Sequence, residues 1–158
     1  MKKKYIIFFA TVALIVLLDV LTKAYISSTM FLHESFPVIE GFFNITYVRN
    51  PGAAFSFLAD APAAFRSIFF VTVTSLAILC ILYYVAKDKF ENPLMTFGLS
   101  LIMSGAVGNL IDRVRLGEVI DFIDVYIGSY HWPAFNVADS AISVGAFLLL
   151  LEIFRGNK

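Results

Sequence analysis

The chain has 158 residues, 59% of them hydrophobic and 15% charged, and its mean hydropathy is +0.83. Soluble domains are about half apolar and about a quarter charged, so the composition argues against a water-soluble globule, a disordered chain or a disulfide scaffold. Lys plus Arg equals Asp plus Glu at 12 each, which leaves no basic field to hold a nucleic acid.

A helix needs about 20 mostly apolar residues to cross the hydrocarbon core. Four stretches qualify. The expected architecture is a mainly α membrane protein, a four-transmembrane-helix bundle with a small β-rich extracytoplasmic segment, in a single domain over residues 1–158. The first span covers about 5–26: Tyr5–Leu18 is uncharged, and its helix continues past Asp19 and Lys23. Lys2, Lys3 and Lys4 before an apolar run resemble a secretory leader. But Asp19-Val-Leu-Thr-Lys23 follows in place of a small-residue cleavage site, so a retained helix is expected.

An outward segment, Ser27–Ala64, comes next. Within it Val38–Val48 is β-branched and aromatic with a break at Gly41, which predicts a small hairpin or sheet lying on the membrane, in an outer β segment over about 30–58. Asn50-Pro-Gly-Ala-Ala-Phe55 has the chemistry of a turn. The second span covers about 64–86, with Cys80 at mid-span as a small apolar packing residue. A short inner loop, Lys87–Asn92, leads to the third span at about 93–113, where Ser104, Gly105 and Gly108 suit close helix packing. A second outward segment, Val114–Pro133, precedes the fourth span at about 137–155, apolar except for Asp139 and Glu152.

Four spans put both termini on one side. The Lys2–Lys4 run and Lys87-Asp88-Lys89 assign that side to the cytoplasm. Arg113 and Arg115, on the other side, run against this rule and need another role, such as a polar site.

Ionisable groups within a membrane are costly and by default mark function. Asp19, Lys23, Asn109, Asp112, Arg113, Asn136 and Asp139 all fall near the outward ends of three spans. Asp19 and Lys23 stand at i, i+4 and can pair on one face. Asn109, Asp112 and Arg113 stand at i, i+3, i+4 and share a face; they either close the helix end or clamp a polar substrate group. Asn136-Val-Ala-Asp139 has capping-box spacing.

The chemistry open to this inventory is narrow. With His33 and His131 as the only histidines and Cys80 as the only cysteine, there is no zinc-ligand spacing, and no metal or cofactor is expected. A Ser-His-Asp site using His131 with Ser104 or Ser140, or a serine with Lys23 as base, is undirected by spacing. Carboxylates are the remaining resource. Two held close share one proton, so that one activates a water as base while the other acts as acid. The outward candidates are Asp19, Asp112, Asp121, Asp124 and Asp139, and spacing does not choose among them.

Four blocks narrow the choice: Asn50-Pro-Gly-Ala-Ala-Phe55, Gly108-Asn-Leu-Ile-Asp-Arg113, Val119-Ile-Asp-Phe122 and Phe135-Asn-Val-Ala-Asp139. Together, in this order and with Asp19…Lys23 ahead of them, they resemble the bacterial lipoprotein signal peptidases, or signal peptidase II, over nearly the whole chain. That resemblance implies an aspartic endopeptidase of the bacterial cytoplasmic membrane, inhibited by globomycin, with its active site at the outer face. Its substrate is a prolipoprotein whose lipobox Cys carries diacylglycerol, and the bond before that Cys is cut. The implied catalytic pair is Asp121 and Asp139. Asn50, Gly52, Asn109, Arg113 and Asn136 become substrate-binding or bracing residues, and Asp19 with Lys23 a structural polar pair. Asp121 is expected on the loop after the third span and Asp139 in the first turn of the fourth, with the chain folding back through Trp132-Pro133. The outer β segment is expected to cover the site. The expected partners are the lipid-modified prolipoprotein and membrane lipids, with the protein itself a monomer. The alternative is a non-enzymatic scaffold or a lipid- or peptide-binding protein using the same pocket.

Overall fold

Apolar length sets the four helices, and polar residues set where they stop. The computed structural model describes residues 3–52, 57–58, 60–87 and 92–156. Helix α1 runs Lys3–Thr29, α2 Ala63–Lys87, α3 Pro93–Leu116 and α4 Val137–Gly156. All four are long and apolar enough to span a bilayer. They outrun the apolar stretches because their polar ends satisfy their own backbone. At the end of α1 the Ser27 hydroxyl donates to Ala24 O, and those of Ser28 and Thr29 donate to Tyr25 O. Helix α3 starts under an Asn92 cap that accepts from Leu94 and Met95 N–H, with Pro93 in the first turn. It ends where Gly117, at φ 76, returns its N–H to Arg113 O.

One end of the bundle gathers the start of α1 and the end of α4. There Lys4 Nζ donates to Val85 O at 3.2 Å and Asn92 Nδ2 donates to Glu152 Oε1. These contacts close helix ends, so buried polar groups occur at this end too, although singly. Of the inner loop, Asp88–Glu91 lie outside the described residues, as do Lys2, Lys158 and the Ala53-Ala54-Phe55 part of the Asn50 block.

Helix α3 is the hub. Its apolar window is 56% buried, against 11% for α1 and α2 and 17% for α4. Small residues permit this. A Cβ on Gly105 would strike Ala138 O of α4, and one on Gly108 would fall 2.5 Å from Asp19 Oδ2 of α1. Ser104 is fully buried, and its hydroxyl is returned to Ser100 O within α3. Gly108→Ala should therefore lower stability by about 1–3 kcal/mol, read as a lower Tm in detergent; an unchanged Tm would show that α1 and α3 can separate freely. Cys80 corrects the packing expectation: it is exposed on the outside of α2, because α2 meets the bundle with few of its faces.

The outward segments build one antiparallel sheet in the order β1-β2-β3-β4: Ser35–Ile39, Phe43–Asn50, Val119–Ile127 and Tyr130–His131. The expected hairpin is β1–β2, turning at Gly41 with φ 78. The expected loop around Asp121 is instead strand β3. It pairs along β2 over Phe43↔Val125 to Asn50↔Val119, since a β-branched run beside the open edge of β2 supplies the ladder that edge lacks. The register slips between Ile45↔Ile123 and Val48↔Asp121, leaving one extra residue on β2. Such bulges re-aim neighbouring side chains, and this one lies directly beside Asp121. Ile26 of α1 packs with Tyr47, Ile120 and Phe122, fastening the sheet to the bundle.

Candidate functional site

Two asparagines hold Asp121. Its Oδ1 accepts from Asn136 Nδ2 at 2.7 Å and its Oδ2 from Asn50 Nδ2 at 3.1 Å. Local structure fixes both amides. Asn50, at the end of β2, accepts the Gly52 N–H on its own Oδ1 at 2.9 Å, an Asx turn. Asn136, the cap of α4, accepts the Asp139 N–H on its Oδ1 at 2.9 Å. A backbone N–H can only donate, so each amide must turn its NH2 toward Asp121. Phe135 brings the start of α4 to β3: its carbonyl accepts from Phe122 and Ile123 N–H, and its own N–H donates to Ile123 O.

Asp139 does not return the other half of the capping box. Its Oδ1 accepts from Asn109 Nδ2 of α3 at 2.7 Å. Asn109 is aimed in turn by Lys23, whose Nζ lies 3.0 Å from Asn109 Oδ1, 2.8 Å from Asp19 Oδ2 and 2.9 Å from Asp112 Oδ2. Three oxygens thus surround the ammonium: the Asn109 Oδ1 accepts from it, and the Asp19 and Asp112 carboxylates pair with its charge. Because Lys23 has nothing but donors, Asn109 must show it the oxygen and keep the NH2 for Asp139. Asp19 Oδ1 accepts the Ala138 N–H at 2.9 Å, and Asp112 Oδ2 the Ile120 N–H at 3.2 Å. The Asp19–Lys23 pair thus ties α1 to α3 and α4, and Asp112 joins this cluster to β3. Helical spacing groups Asp112 with Arg113; its role as the second anion on Lys23 depends on α1 lying alongside, which no spacing in α3 reveals.

Arg113 faces the other way. Its Nη2 donates to Gly52 O at 3.2 Å, and its guanidinium lies over the Phe70 ring at 4.8 Å. Among the described residues it forms no ion pair with either Asp121 or Asp139.

Asp121, Asp139, Asn50, Asn109 and Arg113 line one groove of about 1020 Å³, whose walls include Phe70, Ile102, Ile142 and Val144. Asn136 is fully buried, so it braces Asp121 from behind. Gly52 contributes its carbonyl to Arg113. Burial first, and the charge of Asp139 second, push the Asp121 carboxyl up to about 7, while the Asn50 and Asn136 amides and Lys23 pull the other way.

The other side chains raised by the sequence are engaged elsewhere. His131 Nδ1 pairs with Asp124 Oδ1 at 2.8 Å and its ring stacks on Tyr126, while Asn44 Nδ2 donates to Asp124 Oδ2. The Ser140 hydroxyl donates to Asn136 O. Among the described residues no three His, Cys, Asp or Glu side chains gather where they could hold a metal ion.

The family model for signal peptidase (SPase) II matches residues 11–155. The chain belongs to the signal peptidase II family. It is 56% identical over its whole length to the lipoprotein signal peptidase of Syntrophus aciditrophicus (strain SB), covering 98% of that protein, and 55% identical to that of Geobacter sulfurreducens, with the same coverage. A bacterial membrane enzyme solved by the in meso method at 2.3 Å resolution is 37% identical with a TM-score of 0.87, covering 96% of this chain and 89% of that one. Signal peptidase II enzymes are peptidases, so the polar cluster of this multi-pass membrane protein belongs to an enzyme and the non-enzymatic alternative is set aside. The fold is the one expected of a signal peptidase II, four apolar helices carrying a small sheet.

Proposed function

We propose that this chain is an aspartic endopeptidase that frees diacylglyceryl-modified prolipoproteins from their signal peptides by cutting the bond before the lipidated Cys, with Asp121 and Asp139 as the catalytic pair. The observation that carries this reading is that both carboxylates line one groove, each on a directed asparagine amide, with the proton affinity of Asp121 raised.

In this reading Asp121 holds the shared proton, and Asp139, in the first turn of α4, is the base. Asp139 takes a proton from a water, whose oxygen bonds to the scissile carbonyl carbon. Asp121 gives its proton to the carbonyl oxygen. The resulting diol collapses: Asp139 passes its proton to the leaving nitrogen, Asp121 recovers one from a hydroxyl, and the C–N bond breaks. The products are a new carboxyl terminus on the signal peptide and a free amine on the lipidated Cys. Both aspartates end as they began. Arg113, held by Gly52 O and Phe70, has further N–H groups for a substrate carbonyl. The apolar walls of the groove suit a signal-peptide helix and acyl chains. The end of the bundle bearing the sheet would face outward, with both termini in the cytoplasm, and the enzyme would act as a monomer among membrane lipids. The hairpin does more than cover the site, since β2 itself delivers Asn50 to Asp121.

The pH profile tests the assignment. Cleavage of a diacylglyceryl-Cys precursor should decline as pH rises through about 7, because the shared proton is lost there. Asn50 stabilises the ionised form of Asp121, so Asn50→Ala should move that alkaline limb to higher pH while lowering the maximal rate. A limb that stays put in Asn50→Ala, or shifts downward, would remove Asp121 from the proton-transfer step.

A further inference from the structure

A second cavity, of about 170 Å³, lies where the ends of α1 and α3 meet β2. Its polar lining includes Arg49, Arg115 and Ser27, and its apolar lining includes Val20 and Leu116. We propose that it is a binding site for the phosphate of an anionic phospholipid, with Arg49 and Arg115 as the phosphate ligands and Val20 and Leu116 beside the first acyl carbons. The inference does not rest on the peptide-cutting reading, although Arg49 borders the Asp121–Asp139 groove as well; Arg115 belongs to this cavity alone of the two.

Depth supports it. The cavity lies along the last turns of two spanning helices, from Val20 to Ser27 on α1 and from Asp112 to Leu116 on α3, where a bundle approaches the headgroups. Charge supports it as well. Among the described residues neither arginine forms an ion pair; Arg49 meets Tyr47, its Nε donating to the hydroxyl at 3.1 Å and its guanidinium lying 5.9 Å from the ring centroid, which leaves its Nη groups without a hydrogen-bond acceptor. The carboxylate that also lines the cavity, Asp112, is already committed to Lys23 and the Ile120 N–H. The C-terminal dipole of α3 favours a cation such as Arg115, but it does not account for Arg49, which arrives from a strand. Paired guanidinium forks match phosphate oxygens. Arg49 also precedes Asn50, so a phosphate bridging the two arginines would hold the β2 end that carries the Asn50 amide.

The test uses the full chain in a neutral detergent, with Tm followed against added dioctanoyl phosphatidylglycerol, dioctanoyl phosphatidylcholine or inorganic phosphate. Phosphatidylglycerol should raise Tm at concentrations where the other two do not. Arg115→Gln should raise the midpoint concentration about tenfold or more, and Arg115→Lys by less. Arg49→Gln/Arg115→Gln should abolish the shift; should that double variant fail to fold, the Arg115→Gln result decides alone. An equal shift from inorganic phosphate would mean a free-anion site, and an equal shift from phosphatidylcholine would mean that headgroup charge is not read. An Arg115→Gln titration matching wild type would mean that the lipid binds elsewhere. Each of these three results overturns the proposal.

Discussion

Asp139→Asn should lower the rate of signal-peptide cleavage by about 10³-fold or more while leaving Tm close to wild type. The change suits the local hydrogen bonding. Among the described residues only Oδ1 of Asp139 is engaged, by Asn109 Nδ2, so the new amide can keep its oxygen there and turn its NH2 to the other side. Asp121→Asn should cost as much activity, but it is less silent structurally. Both Asp121 oxygens accept from amide NH2 groups, so an asparagine must set its own NH2 against Asn50 or Asn136. The Asn50 side, at 3.1 Å, gives way more readily than the buried Asn136 side. Folded Asp139→Asn protein that cleaves a diacylglyceryl-Cys precursor at the wild-type rate would end the assignment of this carboxylate as the base.

Lys23→Met should be the most damaging change outside the groove. Asp19, Lys23 and Asp112 are 0%, 2% and 5% exposed. Removing the cation leaves two buried carboxylates unpaired, at a cost of about 3–5 kcal/mol, measured as a large fall in Tm. Neutralising the anions as well, in Lys23→Met/Asp19→Asn/Asp112→Asn, should recover much of that loss, because the uncompensated charge is then gone. Activity should not return in full with it, since Asn109 Oδ1 has lost the closer of its two donors, Lys23 at 3.0 Å, and keeps the longer bond from Asn136 Nδ2 at 3.3 Å, so its amide is held less firmly toward Asp139. A single Lys23→Met variant as stable as wild type would mean that the three-way pairing does not persist in the membrane.

The parts of the molecule that depend on local chemistry are readable in the residues. Four apolar runs declare four helices, and the i, i+4 spacing of Asp19 and Lys23 brings them together at 2.8 Å. Asn136 and Asp139 announce a cap, and the Asn136 oxygen does receive the Asp139 N–H. What depends on distant segments meeting is not readable. Strand β3 is apolar on both faces, with aspartates breaking its alternation, so it gives no period-two signal; its partner β2 lies some seventy positions earlier in the chain. The splitting of Asn109, Asp112 and Arg113 is of the same kind. Their spacing puts them near one face, but only the placement of α1 on one side and the groove on the other sends Asp112 to Lys23 and Arg113 to Gly52. Among the five outward carboxylates, Asp121 and Asp139 are likewise singled out by family resemblance and not by spacing. Geometry supplies the physical reason to prefer them: Asp19 and Asp112 are held by Lys23, and Asp124 by His131 and Asn44.

The most direct test of a proton held between Asp121 and Asp139 is the carboxyl C=O band in infrared spectra of protein labelled with 13C-aspartate, followed across pH. Wild type should show a protonated aspartate band that disappears with a midpoint near 7. The band should be absent from Asp121→Asn, and its midpoint should move to lower pH in Asp139→Asn, where the neighbouring charge is gone. A band insensitive to Asp121→Asn, or a midpoint unmoved by Asp139→Asn, would contradict the shared proton.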